Sequence, residues 1–210
     1  MELAPDFDEF IGSLIAHGVE FVVVGAYALA FHGAPRFTGD LDVLVRPTLD
    51  NASRLLTAVE AFGFPVPELT PAAVADRRKM LQMGVPPVQI HVMSSISGVE
   101  WDEVWADRVE GPLGAHRVPF LGRETFVRNK RAAARPKDLA DIDALHMADR
   151  GPGIDRHIGN GIALPADKRH FRQPFVKHLV QPARLVGVTL DTVIDLLRRV
   201  NAKMVRLPQH

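Results

Sequence analysis

Two aspartates set one residue apart in an apolar run are the residues of this chain best placed to do chemistry. Asp40 and Asp42 alternate with Leu41 and are followed by the apolar residues 43–45. Side chains alternate faces along a strand, so both carboxylates should point the same way, with Cα atoms about 6 to 7 Å apart. Like charges held that close repel, and protonation or a cation usually neutralises them. The simplest solution is a hard divalent metal, Mg2+ or Mn2+, bound by Asp40 and Asp42.

The wider pattern is hydrophobic-Gly-small, thirteen residues, then Asp-hydrophobic-Asp-hydrophobic. It resembles the signature of the nucleotidyltransferase superfamily, which has the DNA polymerase β-like fold, and within it small bacterial proteins such as AbiEii-type toxins and minimal nucleotidyltransferases. The resemblance covers about residues 5–148, and its most specific segments are GAYALAFHGAPRFTGDLDV and KRAAARPKDLADIDAL. It implies an α/β (α+β) domain with a mixed β-sheet flanked by helices, and transfer of NMP from an NTP with Mg2+ or Mn2+ as cofactor.

Upstream of the aspartates, the resemblance implies a nucleotide-binding segment. Gly25 and Ala26 would form an anion-binding turn, since a glycine lets the backbone approach phosphate and the following helix offers free N–H groups. The family usually has Gly or Ser at position 26, so Ala26 leaves only backbone donors. Arg36 and Thr38 match an Arg-x-Thr of the same group. We expect these two residues either to contact phosphate or to hold the carboxylates. Alternatively, Arg36 is only a surface charge.

A third carboxylate, which many relatives carry on a later strand, is replaced here by His91 in the run VQIHVM. A neutral imidazole can bind a metal or accept a proton at physiological pH, so His91 is a candidate catalytic residue and metal ligand. The opposite interpretation is that losing one negative charge weakens Mg2+ binding, because Mg2+ prefers oxygen ligands. The sequence leaves both open.

Further along, the segment from Arg128 resembles the group's lysine-and-aspartate helical feature. Carried over, Lys130 and Asp138 are candidate catalytic residues, and Lys130 and Lys137 are candidate contacts to the triphosphate. Asp141 lies one turn after Asp138 and shares its face. The alternative is a surface lattice of lysines and aspartates, with Asp138 favoured near a helix start by the helix dipole.

Composition bounds the remaining possibilities. The 210 residues are 47% apolar and carry zero net charge and no cysteine, which excludes disulfides, thiolate zinc sites and a cysteine nucleophile. Residues 151–210 hold ten Lys or Arg against four Asp or Glu, while residues 1–150 hold 15 against 21. The N-terminus has no apolar signal segment and no run approaches a membrane span, so we expect a cytoplasmic protein with no membrane partner.

The periodicities predict an amphipathic first helix, buried strands at 20–24, 41–45 and 88–93, and helices at 26–32, 49–62, 123–133 and 136–148. A hairpin is predicted over 108–120 and a C-terminal helix around 190–197. We expect a nucleotidyltransferase-like domain at 1–149, a glycine-rich linker at 150–165 and a basic helical extension at 166–210.

Together these features predict a nucleotidyltransferase whose acceptor is an RNA or tRNA 3′ end, a protein or a small molecule. The basic tail tips the expectation slightly toward RNA, since neutralising phosphates is the general source of such affinity. By resemblance alone, a toxin–antitoxin setting with a cognate antitoxin partner is also implied. The competing prediction is a non-catalytic module that keeps nucleotide or partner binding after losing the third carboxylate.

Overall fold

The computed structural model describes residues 3–86, 88–150 and 184–186. Its helices are α1 (Pro5–Ala16), α2 (Gly25–Phe31), α3 (Leu49–Ala61), α4 (Pro71–Ala75), α5 (Trp101–Asp107), α6 (Arg123–Ala133) and α7 (Pro136–Arg150). Its strands are β1 (Phe21–Val23), β2 (Asp40–Val45), β3 (Met80–Val85), β4 (Val88–Met93), β5 (Val109–Leu113), β6 (His116–Phe120) and β7 (Arg184–Val186). Apart from residue 150, the predicted linker at 150–165 lies outside the described residues, and so does the predicted helix at 190–197. Of the predicted helical extension at 166–210, the structure describes only β7, a strand paired with β3.

The strands form one mixed sheet in the order β5-β6-β1-β2-β4-β3-β7. Strand β2 lies in its interior, antiparallel to β1 on one side and parallel to β4 on the other. The predicted mixed sheet with flanking helices is therefore confirmed. A parallel neighbour requires a crossover, and here the chain between β2 and β4 runs through α3, α4 and the antiparallel strand β3.

The alternation in β2 places its two aspartates on one face of the sheet. Leu41 and Val43 are fully buried, whereas Asp40 and Asp42, which alternate with them, are only half-buried. Leu44 and Val45 are both buried, as expected where a sheet is covered on both faces. The acidic face is therefore confined to the beginning of the strand.

The helices around the sheet follow their apolar stripes. Helix α1 packs against α3, and the rings of Phe10 and Phe62 meet edge-on with centroids 5.3 Å apart. Thr48 caps α3 by accepting a hydrogen bond from the backbone N–H of Asn51. The short α4 was missed from sequence because its segment is rich in proline, although Thr70 and Pro71 are a standard start signal.

Two connections matter for the site. The predicted hairpin is present, with its turn at Gly114, while Gly111 and Pro112 belong to strand β5. Helices α6 and α7 are separated by Ala134, whose φ of 51° ends α6 in a left-handed conformation. This reversal lets α7 pack back against α6, which brings their polar side chains together.

Candidate active site

The aspartates of β2 face a histidine on the neighbouring strand. In the parallel register, Asp42 lies opposite His91 and Asp40 lies opposite Gln89. His91 Nδ1 is 3.0 Å from Asp42 Oδ1, and their side chains are 17% and 25% exposed. Because an ionised carboxylate can only accept hydrogen bonds, His91 Nδ1 is the donor. Predicted site residues from two distant segments are thus brought into direct contact.

The same contact sets the protonation of His91. The hydrogen bond to Asp42 raises the pKa of His91 above its ordinary value of 6.5, against the effect of burial, and the charges of Asp42 and Asp40 add to the rise. The charge of Lys137 acts in the opposite direction on this pKa. Because Nδ1 donates to Asp42, only Nε2 of His91 could bind a metal, and histidine ligands commonly donate their other ring nitrogen to a carboxylate, so the predicted ligand role of His91 stays a prediction.

We expect Asp42→Asn to lower the pKa of His91 more than Asp40→Asn does, because Asp42 both bonds to the ring and acts through charge. Since the folded pKa is raised, the stability from this pair is fully present below pH 6.5 and is lost as pH rises through the folded pKa. NMR titration of His91 in buffer with a metal chelator measures both variants. Equal pKa values in the wild type and Asp42→Asn would contradict the assignment.

Helix α2 begins directly over Asp42. Gly25 has φ of +65°, and a Cβ added there would lie 2.1 Å from Asp42 Oδ2. Glycine is therefore required at this position for two reasons, the left-handed backbone and the close approach of the carboxylate. Ala26 is buried, so only its backbone could meet a ligand. The predicted phosphate contact of Gly25 and Ala26 stays a prediction.

Thr38 and Tyr27 both interact with the other aspartate, Asp40. The Thr38 hydroxyl oxygen accepts a hydrogen bond of 3.1 Å from the backbone N–H of Asp40, which fixes the chain where β2 begins. Tyr27 was not predicted as a site residue. Burial first, and then the charge of Asp40, raises the pKa of Tyr27 to about 12, so the phenol remains neutral beside the carboxylate.

A buried ionic cluster joins α6 and α7 next to these strands. Lys130 Nζ is 2.8 Å from Asp138 Oδ1 and 2.8 Å from Asp141 Oδ2. Arg135 Nε bonds Asp138 Oδ2 at 2.5 Å, and Arg36 holds Asp141 through Nε at 2.7 Å and Nη2 at 3.3 Å. The two aspartates are almost completely buried. We call Arg36, Lys130, Arg135, Asp138 and Asp141 the ionic cluster.

This arrangement explains how Lys130, Asp138 and Asp141 can be buried together. Burial alone would raise the pKa of Asp141, but hydrogen bonds from Arg36 and Lys130 outweigh it and lower that pKa. The structure brings Lys130 and Asp138 together, and the ammonium of Lys130 is engaged by two carboxylates, while the predicted catalytic roles of both residues stay predictions. Its predicted contact with a triphosphate would need that pairing to open, and it stays a prediction.

The cluster lies within electrostatic reach of the aspartate and histidine pair. The negative charge of Asp42 contributes to a raised pKa of Arg135, and Lys137 acts on His91. Lys137 is exposed and forms no ion pair within the described residues. The sequence assigned no role to Arg135 or Asp141, although the spacing of Arg135 and Asp138, three positions apart across the start of α7, is a recognisable pairing signal.

The carboxylates of this site meet part of what a hard cation requires of its ligands. The Asp40 carboxylate accepts no hydrogen bond and joins no ion pair within residues 3–86 and 88–150. In the same described part of the chain, no group of three or more His, Asp or Glu is spaced to hold a metal ion. Mg2+ usually takes one or two protein carboxylates and completes its shell with water and substrate phosphates, so two aspartates satisfy its protein requirement.

Several solved structures, among them the following two, overlap with the fold of this chain. One is a Thermotoga maritima protein provisionally described as a nucleotidyltransferase, 13% identical, with a TM-score of 0.42 over 69% of this chain and 90% of that one. The other is the lincosamide antibiotic adenylyltransferase LnuA with lincomycin bound, 10% identical, with a TM-score of 0.48 over 70% and 98%. No family model and no curated protein matches the sequence. Neither overlap is close enough to assign the chain to a family.

No helix within the described residues is long and apolar enough to cross a bilayer.

Proposed function

We propose that this chain is a metal-dependent nucleotidyltransferase that moves NMP from an NTP to an acceptor hydroxyl. The observation that carries the proposal is the carboxylate pair of β2, on one face of the strand, with Asp42 held by His91 and Asp40 without a partner among the described residues. Half-buried like charges of this kind favour a divalent cation, and an Mg–NTP complex supplies the oxygens that the protein does not.

Asp40 and Asp42 would hold the metal, which when bound neutralises phosphate charge and aligns the reacting groups. The acceptor oxygen bonds to the α-phosphorus, pyrophosphate leaves, and the acceptor proton passes to a base. His91 donates to Asp42 and so orients that carboxylate. Thr38 fixes the backbone of Asp40, and Gly25 leaves room for Asp42. These are positioning roles.

The nucleotide phosphates would lie toward the first turn of α7. Lys137 is exposed, without an ion-pair partner in the described residues, and close enough for its charge to act on His91. It is the cation best placed to meet a triphosphate. Arg36 and Lys130 support this through the ionic cluster, and the backbone of Gly25 and Ala26 remains the proposed phosphate-binding turn.

The acceptor class rests on charge and on the resemblance to small bacterial nucleotidyltransferases. The basic composition of residues 151–210 favours an RNA or tRNA 3′ end, with a protein or small-molecule hydroxyl as alternatives. A toxin–antitoxin setting with a cognate antitoxin follows from the resemblance alone.

A second candidate function is favoured by one observation. His91 takes the place of a third carboxylate and bonds to Asp42, so the described residues provide only two carboxylate ligands. A fold that binds a nucleotide or a partner without turnover would fit this arrangement. Replacing His91 with aspartate separates the two candidate functions. A fold that has lost turnover with its third carboxylate should gain transfer activity, whereas a working enzyme should lose its activity or keep it unchanged.

The direct test incubates the full-length protein with each α-labelled NTP, Mg2+ or Mn2+, and total bacterial RNA or cell lysate. We expect label to move into RNA or protein, and to vanish in the Asp40→Ala/Asp42→Ala variant and in chelator. Transfer identifies the acceptor class directly, because labelled RNA and labelled protein separate on a gel.

The control is Asp50→Ala, which removes an exposed carboxylate on α3 that, in the described part of the chain, pairs only with Arg54. It should leave transfer intact. If the wild-type protein bound NTP but transferred no label with any metal, and the double variant lost that binding, the transferase would be contradicted and the binding module supported.

A further inference from the structure

The segment between α2 and β2, residues 33–39, carries an aromatic side chain out into solvent. Phe37 is 67% exposed, whereas Phe7, Phe10, Phe120 and Phe126 are at most 2% exposed. A single exposed apolar side chain needs no explanation by itself. What distinguishes Phe37 is how its backbone is held and what lies beside it. We call residues 33–39 the 33–39 loop.

The 33–39 loop is fixed on both sides of Phe37. On one side, Arg36 forms a two-pronged ion pair with the buried Asp141. On the other side, Thr38 bonds to the backbone of Asp40. Arg36 Nη1 also donates to the carbonyl oxygen of Phe37 at 3.4 Å. A loop held at both neighbours presents its aromatic ring at little further entropic cost, which is the condition for a preorganised contact.

Phe37 is close along the chain to the carboxylate pair. Phe37 and Asp40 are three positions apart, so their Cα atoms are at most about 10 Å apart. Asp141, which holds Arg36, lies one helical turn after Lys137 on the same face of α7. The ion pair of Arg36 with Asp141 therefore links the 33–39 loop to α7. The loop carries the exposed ring of Phe37, and the first turn of α7 carries the exposed ammonium group of Lys137, which has no ion-pair partner within the described residues.

We propose that Phe37 stacks on the base of the incoming nucleoside triphosphate. The inference rests on the proposed function and deepens it by naming the residue that binds the base. Carboxylates with a divalent cation, together with Lys137, match the triphosphate, and the flat apolar part of the same molecule is its base. Stacking on an aromatic ring is tolerant of sequence because every base has a π-face. Phe37 therefore contributes affinity for all four NTPs, with purines bound more tightly through their larger rings.

The test measures binding of ATP, GTP, CTP and inorganic tripolyphosphate, each with Mg2+, to the full-length chain by calorimetry. Phe37→Ala should weaken binding of each NTP about tenfold or more, and Phe37→Tyr should retain it. Tripolyphosphate has no base, so its affinity should stay within about twofold in both variants. Met147→Ala is the matched control, since it removes an apolar side chain of similar exposure, 70%, from the far end of α7.

Each other outcome overturns the inference in a distinguishable way. Unchanged NTP affinity in Phe37→Ala, with wild-type binding intact, rejects stacking and leaves the proposed function standing. Equal losses for NTP and tripolyphosphate assign Phe37 to support of the loop. If Phe37→Ala raised only the KM for the acceptor in the transfer assay, the ring would bind the acceptor and not the base. A wild-type protein that binds neither NTP nor tripolyphosphate rejects the proposed function together with the inference.

Discussion

Replacing Lys130 with methionine is expected to lower the free energy of unfolding by about 3 to 5 kcal/mol, because it breaks a buried ionic cluster by removing a shared partner. Lys130 Nζ bonds both Asp138 and Asp141, and the three side chains are between 0 and 7% exposed. Methionine fills a similar volume but leaves two buried carboxylates without their common cation. Urea denaturation followed by circular dichroism measures the change.

The pH dependence of stability gives a second readout of the same variant. Burial alone would raise the pKa of Asp138, but hydrogen bonds from Arg135 and Lys130 outweigh it and hold this pKa at about 2. A lowered folded pKa contributes stability that is present above the unfolded value of 3.8 and lost as pH falls toward 2. In Lys130→Met the pKa of Asp138 should rise, so this acid-dependent loss should shrink.

Arg131→Met is the control for Lys130→Met. It removes a positive charge from the next position of α6, where the side chain is exposed and has no ion-pair partner among the described residues. Its effect should stay within about 0.5 kcal/mol, as for most surface substitutions. A Lys130→Met protein as stable as Arg131→Met would show that the ionic cluster does not stabilise the fold.

Replacing Gly25 with alanine is expected to reduce nucleotidyl transfer by a factor of about 100 or more, since small displacements of catalytic groups have effects of that size. The new Cβ would lie 2.1 Å from Asp42 Oδ2 and 3.0 Å from Asp42 Cβ, so the whole side chain must move. Movement of Asp42 breaks its bond to His91, and the left-handed backbone adds about 1 to 2 kcal/mol of strain. Activity, the pKa of His91 and the unfolding free energy report these effects separately.

Gly63→Ala separates backbone strain from the contact with Asp42. Gly63 has φ of +97° and nothing within 4 Å of an added Cβ, so alanine there introduces strain alone. This variant should lose stability yet retain transfer and the raised pKa of His91. If Gly25→Ala kept both of those properties as well, the close approach to Asp42 would have no functional consequence.

Features set by local periodicity could be predicted from the sequence. The alternation of Leu41 and Val43 with Asp40 and Asp42 is sufficient to place both carboxylates on one face, as observed. The start signal of α4 at Thr70 and Pro71 is equally local, although the predicted helices did not include this segment. Local patterns predict local structure well when a single physical cause dominates.

Contacts made over long separations could not be predicted in this way. Arg36 and Asp141 are 105 residues apart, and their pairing depends on the turn between α6 and α7. That turn needs a positive φ at Ala134, a conformation that alanine rarely adopts and that no residue type there signals. The alternatives that the sequence left open for Arg36 and Lys130 therefore became distinguishable only through tertiary packing.

The ion pair of Arg36 with Asp141 joins residues 105 positions apart, so it can form only late in synthesis. A growing chain that has emerged only as far as β6 already contains both aspartates and His91, but it lacks the carboxylate that orders the 33–39 loop. Domains are made from the N-terminus at about 5 to 20 residues per second, so α7 follows β6 by seconds. The proposed nucleotide site of a nascent or truncated chain is incomplete until α7 has docked, so the proposed transfer would require the completed domain.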